Sequence, residues 1–138
     1  MKNKEKKLKV GILFGGKNTE HEVSINSAKN IISALDKSKY ELIKIKIEKS
    51  GKFNLNLLKK ADVVFPVLHG PFGEDGTMQG FLKILEKPFV GPSVLGSSVS
   101  FDKDVTKRLL TEAGIPNTKF LTFRKSDKID FLKTKKFL

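Results

Sequence analysis

Short apolar runs alternate in this chain with segments of helical periodicity, and this alternation restricts the fold more than any other feature. Residues 8–14 (LKVGILF) and 62–68 (DVVFPVL) are short and mostly apolar, as buried parallel strands are. Apolar residues recur at helical spacing in two other segments, Ala28, Ile31, Ile32 and Leu35 and then Met78, Phe81, Leu82 and Leu85. The alternation predicts an α/β fold, an open and mostly parallel sheet with helices on both faces.

The remaining segments complete the predicted order of elements. Residues 40–48 alternate isoleucine with charged side chains, which predicts a half-exposed strand near a sheet edge. The other predicted elements are short helices at 55–60 and 94–101, a very short strand at 88–91, a helix at 102–113, a strand at 119–124 and a helix at 129–138.

The start of the first predicted helix carries two glutamates that need separate explanations. Thr19 and Glu22 have the spacing of a capping box, in which each side chain bonds the other residue's backbone N–H. Glu20 would then occupy the first helical position, where the helix dipole favours a carboxylate. Alternatively, Glu20 lies at the carboxyl end of a strand to bind a cationic group. His21, on the first turn, is expected at the surface.

Two loops stand out as candidate ligand-binding segments. In open parallel sheets, ligands bind beyond the carboxyl ends of the strands. Here those ends are residues 15–20 and 69–76, which are rich in glycine and ionisable side chains. His69 shares its loop with Glu74 and Asp75, and an acidic partner would orient the imidazole ring. We therefore expect His69 to contact a ligand or to orient one.

The composition excludes several kinds of site. The chain has no cysteine, so it forms no disulfide, zinc–thiolate site or catalytic thiol. The loop around His69 lacks the second histidine of a catalytic zinc site, and no metal site is predicted. Gly15-Gly16 is not followed by the third glycine of a dinucleotide-binding fingerprint. The apolar runs are too short for a membrane helix or a signal peptide, so a cytoplasmic location is expected.

The net charge of +12 does not by itself indicate a nucleic-acid partner. Of 27 basic residues only Arg108 and Arg124 are arginine, the residue that base and phosphate recognition favours. The lysines are spread along the chain, so a solvated surface is the preferred interpretation and no nucleic-acid partner is expected. Lys103 is unusual because a cation at a helix start is mildly unfavourable. An anion such as a phosphate bound there would explain it.

Three blocks of this sequence, at 10–28, 66–82 and 88–116, resemble in order and spacing the N-terminal part of D-alanine–D-alanine ligases, in the ATP-grasp superfamily. The runs HGPFGEDGTMQG at 69–80 and SSVSFDK at 97–103 are specific to that family. The resemblance implies a pre-ATP-grasp, Rossmann-like domain at residues 1–101. Residues 102–138 would then form a linker helix and the truncated start of the central ATP-grasp domain.

The family resemblance also implies an activity. ATP phosphorylates the carboxylate of one D-alanine, and the amine of a second D-alanine attacks the acyl phosphate to form the dipeptide used in peptidoglycan. ATP and Mg²⁺ are the implied cofactors, with the magnesium ligands beyond Leu138, and a homodimer without membrane contact is implied. This chain alone is expected to be inactive. D-alanine–D-lactate or D-alanine–D-serine ligation, or a non-catalytic dimerisation or binding module, remain as alternatives.

The resemblance assigns roles to particular residues. Glu20 matches the glutamate that binds the ammonium of the first D-alanine, and is the one catalytic-site residue expected here. His69 and Gly70 match residues that line the same pocket, and Glu74 and Asp75 match an acidic pair that orients it. The other matching residues are Lys103, which approaches the nucleotide phosphates, and the glycines Gly15, Gly16 and Gly73. Asn18-Thr19 departs from the family, in which many members carry a serine.

Overall fold

The computed structural model describes residues 6–129 and 134–135. The chain divides into two compact units, Met1–Asp102 and Lys103–Leu138. The first unit contains, in chain order, β1 (Leu8–Gly15), α1 (His21–Ala34), β2 (Tyr40–Ile47), α2 (Leu55–Lys60), β3 (Val63–Val67), α3 (Thr77–Ile84) and α4 (Val94–Phe101). The second unit begins with α5 (Lys103–Glu112).

The three strands form one parallel sheet in the order β2-β1-β3, which confirms the predicted α/β class. The central strand pairs Val10 with Leu42 on one side and with Val63 on the other. β2 is therefore an edge strand, as its alternating pattern predicted. The predicted short strand near Phe89 consists of one parallel bridge to Val64.

Side chains alternate across β1 and supply two hydrophobic layers. On one face, Val10 and Ile12 pack with Ala28 of α1. On the other, Leu13 packs with Leu58 of α2 and Leu82 of α3. Because both faces of the sheet are covered by helices, the carboxyl ends of the strands form the edge at which a ligand can reach the main chain.

The last part of the described chain differs from its prediction. Residues 119–124 form no strand, although the sequence KFLTFR has strand composition. Within the described residues no other strand pairs with this segment, and an unpaired strand leaves its backbone groups unsatisfied. The helix predicted at 129–138 lies for the most part outside the described residues. No helix in the described part of the chain is long and apolar enough to cross a membrane.

Candidate functional site

Two loops lie side by side at the carboxyl ends of neighbouring strands. The first loop, residues 16–20, connects β1 to α1, and the second loop, residues 68–76, connects β3 to α3. Asn18 joins them: its amide Nδ2 donates to the carbonyl of His69 at 2.6 Å and to that of Pro71 at 3.1 Å. The parallel pairing of β1 with β3 thus brings together the two segments that the sequence singled out.

The start of α1 differs from the predicted capping box. Glu20 is the N-cap and makes no side-chain capping bond. Its backbone N–H instead donates to Oδ1 of Asn18 at 3.1 Å, an Asx turn that takes the place of the box. The carboxylate of Glu22 points elsewhere and pairs with Lys49 at 3.6 Å on the exposed surface. The predicted box between Thr19 and Glu22 is therefore wrong, and the Glu20 side chain, which makes no capping bond, faces the second loop.

The carboxylate of Glu20 lies directly against the main chain of the second loop. Gly70 has φ +67° and is buried, and a Cβ placed on it would lie 2.0 Å from Oε2 of Glu20. Glycine at this position therefore permits both the left-handed backbone and the approach of the carboxylate. The N–H of Gly70 donates to Oε2 of Glu74 at 2.8 Å, which holds the loop from its other side.

His69 is held between two polar side chains. Its Nε2 lies 3.1 Å from the hydroxyl of Ser27 on α1. Its Nδ1 lies 3.9 Å from Oε1 of Glu74, an ion pair only when the ring is protonated. The ring is one-third exposed, so it is oriented by the protein and still reaches solvent. The hydroxyl of Ser27 is thus within hydrogen-bond distance of the ring, and Glu74 is the acidic group beside it, so the orienting role expected for an acidic partner stays a prediction.

Asp75 has a role within its own loop. Its two carboxylate oxygens accept hydrogen bonds from the backbone N–H groups of Phe72 and Thr77, each at 2.9 Å. Burial by itself raises the pKa of Asp75, but these hydrogen bonds outweigh it and hold the pKa below its ordinary value. Phe72 adopts φ +68°, a left-handed conformation that the bond to Asp75 supports. Asp75 thus shapes the turn, and it contacts neither Glu20 nor His69 through its carboxylate bonds.

Sequence reasoning missed two buried polar residues of α1. His21 was expected at the surface, but it is only 4% exposed, and its Nδ1 lies 2.6 Å from the carbonyl of Gly16. Ser24 is fully buried, accepts from the N–H of Gly15 at 2.7 Å and donates to the carbonyl of Val67. Ser24 therefore ties the end of β1 to the end of β3. The available signal was the helical spacing of positions 21, 24 and 28, which places both polar residues on the buried face with Ala28.

A cavity of about 270 Å³ lies between the two loops and the start of α3. Its wall is mainly apolar, with Phe53, Leu68 and Phe81 among the lining residues. Lys17, Asn18, His69 and Thr77 contribute its polar side chains. A small polar ligand held at the loops would therefore have an apolar surface beside it.

The predicted phosphate-binding lysine belongs to the second unit. Lys103 is the first residue of α5 and is exposed. Asp104, one residue later, forms an ion pair with Arg108 at 3.0 Å. In the part of the chain that the structure describes, no group of three or more histidine, aspartate or glutamate side chains could hold a metal ion. The described residues therefore do not fit a magnesium site.

Comparison with known proteins gives one consistent result. A profile of the D-ala D-ala ligase N-terminus matches residues 9–61 and 53–92. D-alanine–D-alanine ligase from Oceanobacillus iheyensis is 39% identical over 88% of this chain and 45% of its own length. D-alanine–D-alanine ligase A from Escherichia coli is 38% identical over the same two shares. The chain thus spans less than half the length of these relatives.

Solved structures agree with the sequence matches. The ligase from Coxiella burnetii has a TM-score of 0.84 and 34% identity, and the alignment covers 94% of this chain and 48% of that one. A Bacillus anthracis ligase complexed with ATP has a TM-score of 0.79 and 32% identity, covering 94% and 44%. VanG D-Ala:D-Ser ligase from Enterococcus faecalis has a TM-score of 0.75 and 30% identity, covering 87% and 46%. On the profile match and the identity to these relatives, this chain belongs to the D-alanine–D-alanine ligase family, and its residues 9–92 correspond to the N-terminal domain of that family.

Proposed function

We propose that this chain forms the domain that binds the first substrate of an ATP-dependent D-alanine–D-alanine ligase. The observation that carries the proposal is the position of the Glu20 carboxylate against Gly70, at the junction of the two loops. A half-buried carboxylate in this position suits the ammonium group of an amino acid, because charge-assisted hydrogen bonds strengthen where water is partly excluded. The names of the relatives support D-alanine as that amino acid.

The site residues then divide into binding and orienting groups. In this proposal Glu20 binds the ammonium and is the catalytic-site residue, with Gly70 directly beside its carboxylate and His69 as a further substrate-binding residue. Glu74 orients His69, and Asp75 shapes the loop that carries both. Together these residues would hold the first D-alanine so that its carboxylate lies where ATP phosphorylates it. Correct placement of the reacting groups supplies a large part of the rate enhancement in such reactions.

The remaining partners follow from the same proposal. Lys103 would approach the nucleotide phosphates, and the ATP complex of the Bacillus anthracis ligase supports ATP as the nucleotide. The proposal gives the described residues no part in binding Mg²⁺. Domain assignment follows the resemblance, with residues 1–101 as the substrate domain and 102–138 as the start of the ATP-grasp domain. A cytoplasmic homodimer that binds neither membrane nor nucleic acid completes the proposal.

A Glu20→Gln substitution tests the proposal in the complete protein that carries this chain. The amide is isosteric but uncharged, so the KM for D-alanine at the first site should rise about tenfold to a hundredfold, the range for a lost charged hydrogen bond. The KM for ATP should stay within about twofold. Dipeptide formation and ADP release are the measurements.

Glu22→Gln is the matched control for Glu20→Gln. Glu22 is two residues away, carries the same charge and pairs only with exposed Lys49 in the described structure. The Glu22→Gln substitution should leave the KM for D-alanine and the KM for ATP unchanged. Equal KM values for Glu20→Gln and wild type would refute the assignment of Glu20. Absence of any D-alanine-dependent ADP release from the wild type would refute the ligase proposal itself.

A second candidate is ligation of D-alanine to D-serine or D-lactate, and the likeness to VanG D-Ala:D-Ser ligase favours including it. Product analysis with each acceptor separates the candidates. A third is a non-catalytic binding or dimerisation module. An immunoblot of the native protein bears on it: a band of more than twice the 15.4 kDa of this chain supports the ligase, and a band at 15.4 kDa supports the module.

A further inference from the structure

We propose that Asn18 is a positioning residue that sets the distance between Glu20 and His69 by clamping the two loops together. The proposal rests on the proposed function, in which these two residues face the same substrate. Glu20 belongs to the first loop and His69 to the second, and 49 positions of sequence separate them. Their relative placement therefore depends on whatever connects the loops in space.

The Asn18 side chain uses both ends of its amide for this connection. Nδ2 donates to the carbonyls of His69 and Pro71 at 2.6 and 3.1 Å. Oδ1 accepts from the N–H of Glu20 at 3.1 Å. A single side chain thus holds the backbone of Glu20 and the backbone of His69 at once.

No main-chain hydrogen bond joins the first loop to the second among the described residues. Ser24 links the ends of β1 and β3, which precede the two loops. Ser27 contacts His69 from α1. Asn18 is the side chain that connects the loops themselves. Its removal would leave Glu20 and His69 on two separately anchored segments.

The amide of Asn18 suits these three contacts for a chemical reason. Two donors and one acceptor are engaged, and among short side chains only asparagine presents them in a plane. A serine has one donor on a shorter arm, so it could keep the turn at Glu20 but not both carbonyl contacts. An aspartate keeps the acceptor for Glu20 and replaces the donating group with an oxygen that faces two carbonyl oxygens.

The test compares Asn18→Asp and Asn18→Ser with Asn117→Asp. Asn117 lies in the second unit and donates from Nδ2 to Thr111 Oγ1 and to the Ile115 carbonyl, both at 3.2 Å. Asn117→Asp is the control for Asn18→Asp, because it makes the same chemical change and also removes two donated hydrogen bonds. Asn18→Asp also introduces a negative charge. Asn18→Ser removes the amide donors without adding a charge, so it shows which of the two changes causes an effect.

The first readout is the ¹H–¹⁵N spectrum of this chain, which needs no activity. Asn18→Asp and Asn18→Ser should displace the amide signals of residues 68–76 while the signals of α2 stay in place. Asn117→Asp should leave residues 68–76 unmoved. Unchanged signals for residues 68–76 in both Asn18 variants would overturn the clamp.

The second readout is kinetic and uses the complete protein. The KM for D-alanine at the first site should rise about tenfold in Asn18→Asp, the effect of hydrogen bonds lost at a binding site, with the KM for ATP within about twofold. A parallel rise in both KM values, or none in either, would overturn the positioning role. If the wild type makes no dipeptide, the proposed function fails, and the spectrum still decides whether Asn18 clamps the loops.

Discussion

Single residues decide how closely the two loops approach, and Gly70 is the clearest case. Its φ of +67° and the 2.0 Å separation between a built Cβ and Oε2 of Glu20 exclude any side chain without movement. Ser24 is a second single residue on which the site depends, here through a polar side chain. Its buried hydroxyl has both a donor and an acceptor role, so removing it would leave Gly15 N–H and the Val67 carbonyl without that partner.

Gly70→Ala should destabilise the chain by about 1–2 kcal/mol, the cost of a left-handed backbone for a residue with a Cβ, and should displace Glu20. Gly80→Ala is its matched control, because Gly80 lies inside α3 with nothing within 4 Å of a built Cβ. That substitution should stabilise the chain by about 0.5–1 kcal/mol. Urea unfolding measures both, and equal effects of the two substitutions would contradict the role of Gly70.

Among the elements, α1 contributes most to the site. Its apolar residues Ala28 and Ile31 cover one face of the sheet, while Ser24 and Ser27 point polar groups at the strand ends and at His69. One helix therefore supplies both packing and orientation. The apolar periodicity of the sequence locates this helix but does not reveal its second function.

The free energy of unfolding of the chain should depend on pH in part through Asp75 of the second loop. Its pKa lies below the ordinary 3.8 when folded, so its stabilising effect is complete above that value and is lost as the pH falls through the lowered pKa. The difference in urea midpoint between wild type and Asp75→Asn should thus be largest near neutrality and shrink below about pH 4. A difference that is constant down to pH 2 would contradict this account.

At the scale of the whole molecule, the core is confined to the first unit. The buried hydrophobic residues of the described chain lie between Val10 and Leu82, in two clusters on the two faces of the sheet. In the second unit, Arg108 and Asp104 pair on an exposed surface, where such pairs contribute little to stability. The stability of the chain should therefore reside in the first unit.

A shortened chain of residues 1–102 should unfold cooperatively, because it keeps both hydrophobic clusters and all three strands. Thermal unfolding followed by circular dichroism is the measurement, with the 138-residue chain as the reference. A broad transition without a baseline, or aggregation at a temperature where the reference is folded, would show that the second unit is required.

Local chemistry allowed most of the fold to be predicted. Short apolar runs, helical periodicity and glycine-rich segments depend on neighbours in the chain, and they located β1, β3, α1 and α3. They also marked the segments at 15–20 and 69–76, because strand ends are where parallel sheets bind ligands. The strand expected at 119–124 was wrong because strand composition does not supply a partner strand.

The sequence by itself determined the α/β class, the two loops and the residue types available at the site. Only the tertiary structure decided which of those residues meet. Asn18 bonds to His69 and Pro71 across 51 and 53 positions, and Ser27 reaches His69 across 42. Such contacts depend on the pairing of β1 with β3, and no local pattern encodes that pairing. Thr19 and Glu22 have the spacing of a capping box, but the helix start carries a turn made by Asn18 instead, whose amide is also bonded to the second loop.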